Sequence, residues 1–305
     1  MCQNVLSLNV STKNSKTDLK ILAVTKGNHN IVILCDTRLN TIKQSAALHD
    51  ITKKFRLKGY DFIHNSKSNS RGVGILIKKN LRWEINRKIE DQGDNYLVAS
   101  ITISNRRFTL GAIYGPNNND LIFYDNLQRD ILSLENQTII LAGDWNATWD
   151  PSPVASNLDV INMQNIPSKQ RSEKIIRMSR NLAVTDPFRF LFPHRREFTF
   201  VPNIAANRNR SRLDFFLISE NIIGECKSVK IPHNLSSKTF DHKSVEMTFC
   251  HFHNRNTQVI KDSILKDPLL LTVLKAYTFD CYNNHAVLND FFTEHNRTVI
   301  SRKLG

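Results

Sequence analysis

The chain lacks the features that mark exported and membrane-embedded proteins. It has no run of about 18 consecutive apolar residues, so no membrane-spanning segment is expected. The N-terminus does not combine a basic region, an apolar stretch and a small-residue cleavage site, so no signal peptide is expected. The 5 cysteines are scattered and include no CxxC pair, which predicts neither a disulfide framework nor a zinc site. These absences favour an intracellular protein in a reducing compartment.

Negative charge is also scarce. The chain has 28 Asp and Glu residues against 42 Lys and Arg, which gives a formal net charge of +14. Residues 1–254 contain 35 of the basic and 23 of the acidic residues, so the excess does not come from a basic tail. A positive surface of this kind favours a polyanionic partner such as nucleic acid, although a merely soluble basic surface is the alternative.

Short apolar, β-branched runs alternate with longer helical patterns, which predicts an α/β layered fold. The predicted helices cover residues 17–27, 43–57, 121–134 and 169–181. The predicted strands cover residues 5–10, 31–35, 72–77, 97–103, 108–114, 138–142, 212–218 and 245–252. Two of these strands flank a short turn near Asn105 and form a hairpin, so the sheet is not purely parallel.

The pattern changes after about residue 254. We therefore expect one domain over residues 1–254 and a C-terminal extension over residues 255–305. Asp267-Pro268 predicts the start of a helix, with proline in its first turn. The extension is either the start of a linker or a simple helical appendage.

Several of the predicted strands begin or end at carboxylate, amide or imidazole side chains. Asp36 follows one strand and Asp144 follows another within Gly-Asp-Trp-Asn, while the pair Asp241-His242 precedes a third. Hydrolysis of a phosphodiester needs a metal ion to offset charge, an aligned water molecule and a stabilised leaving oxygen. Magnesium prefers oxygen ligands, such as the carboxylates found at these strand ends. The chain therefore supplies, at several strand ends, the kind of side chain that such a reaction needs.

In this order, the motifs resemble the endonuclease/exonuclease/phosphatase superfamily, whose members cleave phosphate esters with a divalent metal. The resemblance covers roughly residues 4–252 and implies an α/β fold that is a four-layer sandwich, with two packed mixed β-sheets flanked by helices. It implies a catalytic set consisting of Asp144, Asn146, His242, Asp214 and Tyr114.

The same resemblance implies a Mg²⁺ site, with Mn²⁺ as a substitute, at Asp36, Asn9 and Asp241. Aspartate stands at position 36 where the family usually has glutamate, which is one methylene longer. The implied DNA-binding residues are Arg38, Thr199, Arg208, Arg210 and Arg212.

Residues 71–80 and 147–157 resemble one branch of the superfamily, the endonucleases of LINE-type (non-LTR) retrotransposons. That resemblance implies a nuclear enzyme that nicks one strand of double-stranded DNA, so that the freed 3′-hydroxyl primes reverse transcription. Element RNA and a reverse transcriptase absent from these 305 residues would then be its partners, and residues 255–305 would begin the linker. Two alternatives stay open: a decayed, DNA-binding copy, suggested by Asp36, and an abasic-site repair endonuclease.

Overall fold

A computed structural model describes residues 2–10, 24–25, 27, 29–39, 45–68, 70–149, 158–161, 169–201, 210–232 and 240–250. The predicted helix over 17–27 falls mostly outside these residues. Residues 202–209, which include Arg208, and the whole C-terminal extension lie outside them as well. Residues Met1–His251 form one compact unit, and residues Phe252–Gly305 form a second unit.

The first main sheet has six strands and is mixed. Only the pair β1 and β2 is parallel among its recorded neighbours, and its other neighbouring strands are antiparallel. In spatial order the strands are Cys226–Lys230 (β13), Val245–Cys250 (β14), Cys2–Asn9 (β1), Ile31–Cys35 (β2), Val73–Lys78 (β4) and Tyr60–Asn65 (β3).

The second main sheet also has six strands and one parallel pair, β7 with β8. In spatial order its strands are Val184–Thr185 (β10), Asp214–Ser219 (β12), Ile139–Asp144 (β8), Arg106–Tyr114 (β7), Tyr96–Ile103 (β6) and Trp83–Glu90 (β5). A small two-stranded sheet pairs Val160–Ile161 (β9) with Arg210–Ser211 (β11).

The predicted hairpin is confirmed by the antiparallel pairing of β6 and β7. Ser104 and Asn105 form its turn with φ angles of 49° and 68°. Positive φ at both central residues fits the right-handed twist of the paired strands.

Alternation along the strands sends side chains to two different cores. In β2, Ile31, Ile33 and Cys35 face the core between the two sheets, whereas Val32 and Leu34 face the outer surface of the first sheet. Period-two alternation produces this division, and burial on both faces explains why the strand is wholly apolar.

Helices cover the outer face of each sheet. The helix Ser45–Leu57 (α1) packs on the first sheet, while Ile122–Leu132 (α2) and Lys169–Leu182 (α3) pack on the second. A short helix, Pro187–Leu191 (α4), follows β10. The layers are thus helix, sheet, sheet and helix, which confirms the predicted four-layer sandwich. Of the helices in the described ranges, none is long and apolar enough to cross a membrane.

The cysteines depart from the sequence-based expectation in one respect. Cys35 and Cys226 are free and buried, but Cys250 is disulfide-bonded. The pairing of β1 with β14 places the backbone of Cys2 opposite that of Cys250. Such closeness between the two ends of a domain is invisible in cysteine spacing along the chain.

Candidate active site

The sheet topology brings the predicted catalytic residues to one end of the sandwich. The parallel strands β1 and β2 end there, and so do β7 and β8 in the other sheet. The strands β12 and β14 run antiparallel to their neighbours and therefore begin at the same end. Residues that are far apart in sequence consequently meet at one edge of two stacked sheets.

The carboxylate of Asp144 is held in place by hydrogen bonds to both of its oxygens. Asp144 Oδ1 accepts a hydrogen bond from the backbone N–H of Asn146 at 2.9 Å, and Oδ2 accepts one from Asn9 Nδ2 at 2.9 Å. Asp144 as a whole is only 2% exposed. Burial raises the pKa of Asp144 to about 7, and the nearby charge of Asp214 adds to this increase, whereas His242 and the two hydrogen bonds oppose it.

The backbone before Asp144 is placed by Gly143. This glycine has a φ of 154°, and a Cβ atom there would lie 1.8 Å from the carbonyl oxygen of Ile113. Only a residue without a side chain allows β8 to approach β7 so closely at its end. The glycine of the Gly-Asp-Trp-Asn motif is therefore required for the close packing of the backbone next to Asp144.

His242 lies between two carboxylates. Its Nδ1 donates to Asp214 Oδ2 at 2.8 Å, and its Nε2 is 3.8 Å from Asp144 Oδ2. Burial alone would lower the pKa of His242, but the attraction of Asp214 and Asp144 outweighs it and raises the pKa to about 10. The ring is therefore an imidazolium at neutral pH, with its orientation fixed by Asp214.

Thr199 is buried and supports the backbone at the start of β12, which carries Asp214. It is 0% exposed, and its hydroxyl oxygen accepts hydrogen bonds from the backbone N–H groups of Leu213 and Asp214, both at 3.0 Å. The expectation that its hydroxyl contacts DNA is wrong in this structure, because that oxygen holds the start of β12. The sequence indicated Thr199 only by its position ahead of β12, and that position does not tell which way the side chain points.

Arg212 is also buried, and its predicted DNA contact is wrong for the same reason. Its residue is 1% exposed, and its guanidinium contacts Asp159 at 2.8 and 3.0 Å and Asp186 at 2.6 Å. The rings of Phe188 and Phe215 lie 5.2 and 5.4 Å from it. It is an internal anchor of the strand that presents Asp214.

Of the other predicted DNA-binding arginines, Arg210 is exposed on β11 and remains a candidate. Arg208 lies outside the described residues. Arg38 lies at the mouth of the site, where its side chain is 18% exposed and is paired with Asp36.

Tyr114 and Asn146 line the same end of the second sheet. Burial raises the pKa of Tyr114 to about 12, and the nearby charges of Asp36 and Asp144 contribute. A hydrogen bond with the side chain of Asn117 acts in the opposite direction and lowers the pKa of Tyr114. Asn146 has a φ of 49° and its Nδ2 donates to the carbonyl of Gly115 at 2.8 Å.

The candidate metal ligands are oxygen donors, as a hard divalent cation requires. Asn9 is the last residue of β1, Asp36 directly follows the neighbouring strand β2, and Asp241 is exposed beside His242. The donor chemistry fits Mg²⁺, on the condition that Asp36 exchanges its present partner, Arg38, for the ion.

A second grouping of ligand-type atoms consists of Asp144, Asp214 and His242, whose atoms lie within 4.8 Å of one another. Here the ring of His242 is cationic and already donates to Asp214, so it would have to lose a proton before it could bind a metal. We therefore interpret this grouping as a hydrogen-bonded carboxylate–imidazolium cluster and not as the ligand set.

Comparison with known proteins places this geometry in context. Residues 6–236 match the Endonuclease/Exonuclease/phosphatase family. The fold is similar to that of an AP endonuclease from Leishmania major, with a TM-score of 0.65 and 16% identity over 82% of this chain and 88% of that one. An AP endonuclease from Archaeoglobus fulgidus has a TM-score of 0.65 and 17% identity over 81% and 99% of the two chains. A 3′ phosphatase from Neisseria bound to a product DNA hairpin has a TM-score of 0.62 and 16% identity over 82% and 100%.

Proposed function

Because the chain belongs to the endonuclease/exonuclease/phosphatase family, we propose that it is a metal-dependent endonuclease that hydrolyses a phosphodiester in DNA and nicks one strand of a duplex. The observation that carries the proposal is the buried cluster of Asp144, His242 and Asp214 at the end of the two sheets. A carboxylate of raised pKa beside an oriented imidazolium supplies a base and a positive charge within one small site.

Asp144 is proposed as the group that orients and deprotonates the attacking water. The donors Asn9 and the Asn146 N–H hold its two oxygens in a fixed direction. Its pKa of about 7 suits proton transfer at neutral pH, because a general base is most effective when its pKa lies near the working pH.

His242 and Tyr114 are proposed to face the scissile phosphate as donors. The imidazolium of His242 keeps its proton at neutral pH, so it stabilises negative charge that develops on the phosphate oxygens. With a pKa of about 12, the Tyr114 hydroxyl also remains protonated. Asn146 is proposed as a further amide donor to the phosphate.

Asp36, with Asn9 and Asp241, would hold the divalent ion, which we propose to be Mg²⁺ with Mn²⁺ as a substitute. Such an ion, when bound, stabilises charge on the phosphate as a Lewis acid. The protein contributes oxygen donors at fixed strand ends, and the net charge of +14 attracts the DNA. Exposed Arg210, together with Arg38, is proposed to contact backbone phosphates.

The biological setting that we propose is target-primed reverse transcription by a LINE-type retrotransposon. Support comes from the sequence of residues 71–80 and 147–157. In that setting the enzyme acts in the nucleus beside element RNA and a reverse transcriptase. A second candidate is an abasic-site repair endonuclease, which is supported by the AP endonucleases among the structural neighbours.

The nuclease proposal is tested by nicking of supercoiled plasmid with Mg²⁺, with and without a chelator. Wild-type protein is compared with Asp144→Asn and with Asp125→Asn, a matched control whose carboxylate is 57% exposed and pairs with Lys174 on the helical surface. We expect chelator-sensitive nicking by the wild type and the control but not by Asp144→Asn. Folded wild-type protein that binds DNA without nicking it would instead support the decayed copy.

The two nuclease settings are separated by comparing an intact duplex with one that contains a single abasic site, at one salt concentration. A retrotransposon-type enzyme nicks the intact duplex without needing the lesion. Cleavage confined to the abasic duplex would favour the repair function. The salt concentration is held constant because it changes DNA affinity strongly.

A further inference from the structure

Asp36, the main candidate metal ligand, forms an ion pair with Arg38 in its own loop. Arg38 Nε donates to Asp36 Oδ1 at 2.8 Å, and Arg38 Nη2 donates to Asp36 Oδ2 at 2.6 Å. The Asp36 side chain is 4% exposed and that of Arg38 is 18% exposed. Both carboxylate oxygens therefore face one guanidinium in a bidentate pair, which is the strongest common geometry for this interaction.

The backbone of this loop is shaped to make the pair. Asp36 and Arg38 have φ angles of 52° and 53°, in the left-handed region that non-glycine residues rarely adopt. The loop is held by the hydrogen bonds from Thr37 N to the carbonyl of Gly72 at 3.0 Å and from Arg38 N to that of Arg71 at 2.6 Å. The neighbouring segment therefore holds both residues of the ion pair in an uncommon backbone conformation, and their side chains meet in it.

A cation at Asp36 and the guanidinium at Asp36 compete for the same two oxygens. We propose that Arg38 is an intramolecular competitor for the divalent ion, and that a DNA phosphate relieves this competition by binding the guanidinium of Arg38. This inference rests on the proposed function, in which Asp36 is the metal ligand. It makes Arg38 the residue that links metal binding to DNA binding.

Charge and position support the exchange. The carboxylate of Asp241 also acts electrostatically on Arg38, whose side chain is 18% exposed and so is reachable from solvent. Arginine binds phosphate and carboxylate in the same bidentate geometry, so a DNA phosphate is a suitable alternative partner. By linkage, DNA then strengthens metal binding by the same factor by which metal strengthens DNA binding.

The competition is tested by titrating the protein with Mn²⁺ and following the free ion by electron paramagnetic resonance, without DNA. The variants are Arg38→Gln, Arg38→Lys, and Arg106→Gln as a matched control. Arg106 forms an ion pair with Glu225 at 2.6 Å and is 21% exposed, but it lies at the start of β7, the strand end opposite Tyr114. The control therefore removes one positive charge from a similar environment without touching Asp36.

We expect Arg38→Gln to bind Mn²⁺ about 10- to 100-fold more tightly than the wild type, since a charge-assisted bidentate pair is lost from the metal-free state. Arg38→Lys keeps the positive charge but not the bidentate guanidinium, so its Mn²⁺ affinity should lie between those of the wild type and Arg38→Gln. The Mn²⁺ affinity of Arg106→Gln should equal that of the wild type. Equal or weaker Mn²⁺ binding by correctly folded Arg38→Gln, or no binding by any variant, overturns the proposal.

The link to DNA is tested by repeating the titration with a phosphorothioate duplex that resists cleavage. We expect the duplex to tighten Mn²⁺ binding to the wild type and to have a much smaller effect on Arg38→Gln. An equal effect on both proteins contradicts the link. Plasmid nicking provides a separate readout, so a protein that shows the predicted affinities but does not nick would refute the nuclease function alone.

Discussion

Replacing Arg212 by methionine is predicted to destabilise the domain strongly without weakening DNA binding directly. Methionine keeps most of the apolar stem between Phe188 and Phe215 but removes the guanidinium. Asp159 and Asp186, both 0% exposed, then lose their contacts with it. Asp159 keeps an ion pair with Arg189, so the principal unpaired charge is that of Asp186.

The magnitude follows from leaving a carboxylate buried without its cation. Removing one partner of a buried ion pair costs about 3–5 kcal/mol. A typical domain is stable by only about 5–15 kcal/mol, so this loss is a large part of the total. Arg210→Met is the matched control, because Arg210 is exposed two residues earlier and such a surface change usually costs less than about 0.5 kcal/mol.

The loss should also depend on pH. Burial already raises the pKa of Asp186 despite the attraction of Arg212, and Arg212→Met removes that attraction. A carboxyl whose pKa is higher in the folded than in the unfolded state binds protons preferentially in the folded state. The stability of the variant therefore falls further as the pH rises from acid to neutral.

The assay is urea unfolding followed by circular dichroism at pH 5 and pH 7.5, together with DNA binding at a temperature where each protein is folded. We expect a large loss of unfolding free energy for Arg212→Met, greater at pH 7.5, with DNA affinity retained. A loss below about 1 kcal/mol would contradict the buried-pair account, given the usual cost of breaking such a pair. A selective loss of DNA affinity would restore the original assignment of Arg212 to the DNA interface.

Three further predictions concern the site itself. In metal-free protein, the pKa of His242, measured by NMR, should be about 10 and should fall in Asp214→Asn. Because this pKa is raised in the folded state, the stability that the His242 ion pairs add is present below about pH 6.5 and is lost as the pH rises toward 10. An unchanged pKa in Asp214→Asn would contradict the pairing. Gly143→Ala should reduce folded stability because its Cβ would overlap a carbonyl oxygen of β7, whereas Gly224→Ala, where a Cβ meets nothing within 4 Å, should not; equal stabilities would refute the packing role. Tyr114→Phe should slow nicking at nearly unchanged stability, and an unaltered rate would exclude its hydroxyl as a phosphate donor.

The inner strands of both sheets could be predicted from the sequence, but the edges could not. All eight predicted strands correspond to inner strands, which are rich in buried apolar residues. The four main-sheet strands that were missed are the edges β3, β5, β10 and β13. In β5, for example, Glu84, Asn86 and Arg87 are exposed. Edge strands commonly carry charge, which prevents pairing with other chains but hides their periodicity.

The site was predictable where a motif sits at the end of an inner strand. Asp144 and Asp214 both adjoin apolar runs, and strand order alone brings them together. The roles of Arg212 and Thr199 were not predictable, because they depend on the direction of each side chain and on partners such as Asp186 that are distant in sequence.

The central claim is that Asp144 acts in the hydrolytic step. The most direct measurement is the single-turnover rate of nicking by Asp144→Asn and by wild type, with DNA affinity measured in the same buffer. Asparagine is nearly the same shape but cannot accept the proton, so we expect a rate at least about 100-fold lower at similar DNA affinity. A variant that nicks within a few-fold of the wild-type rate would show that Asp144 is not the base.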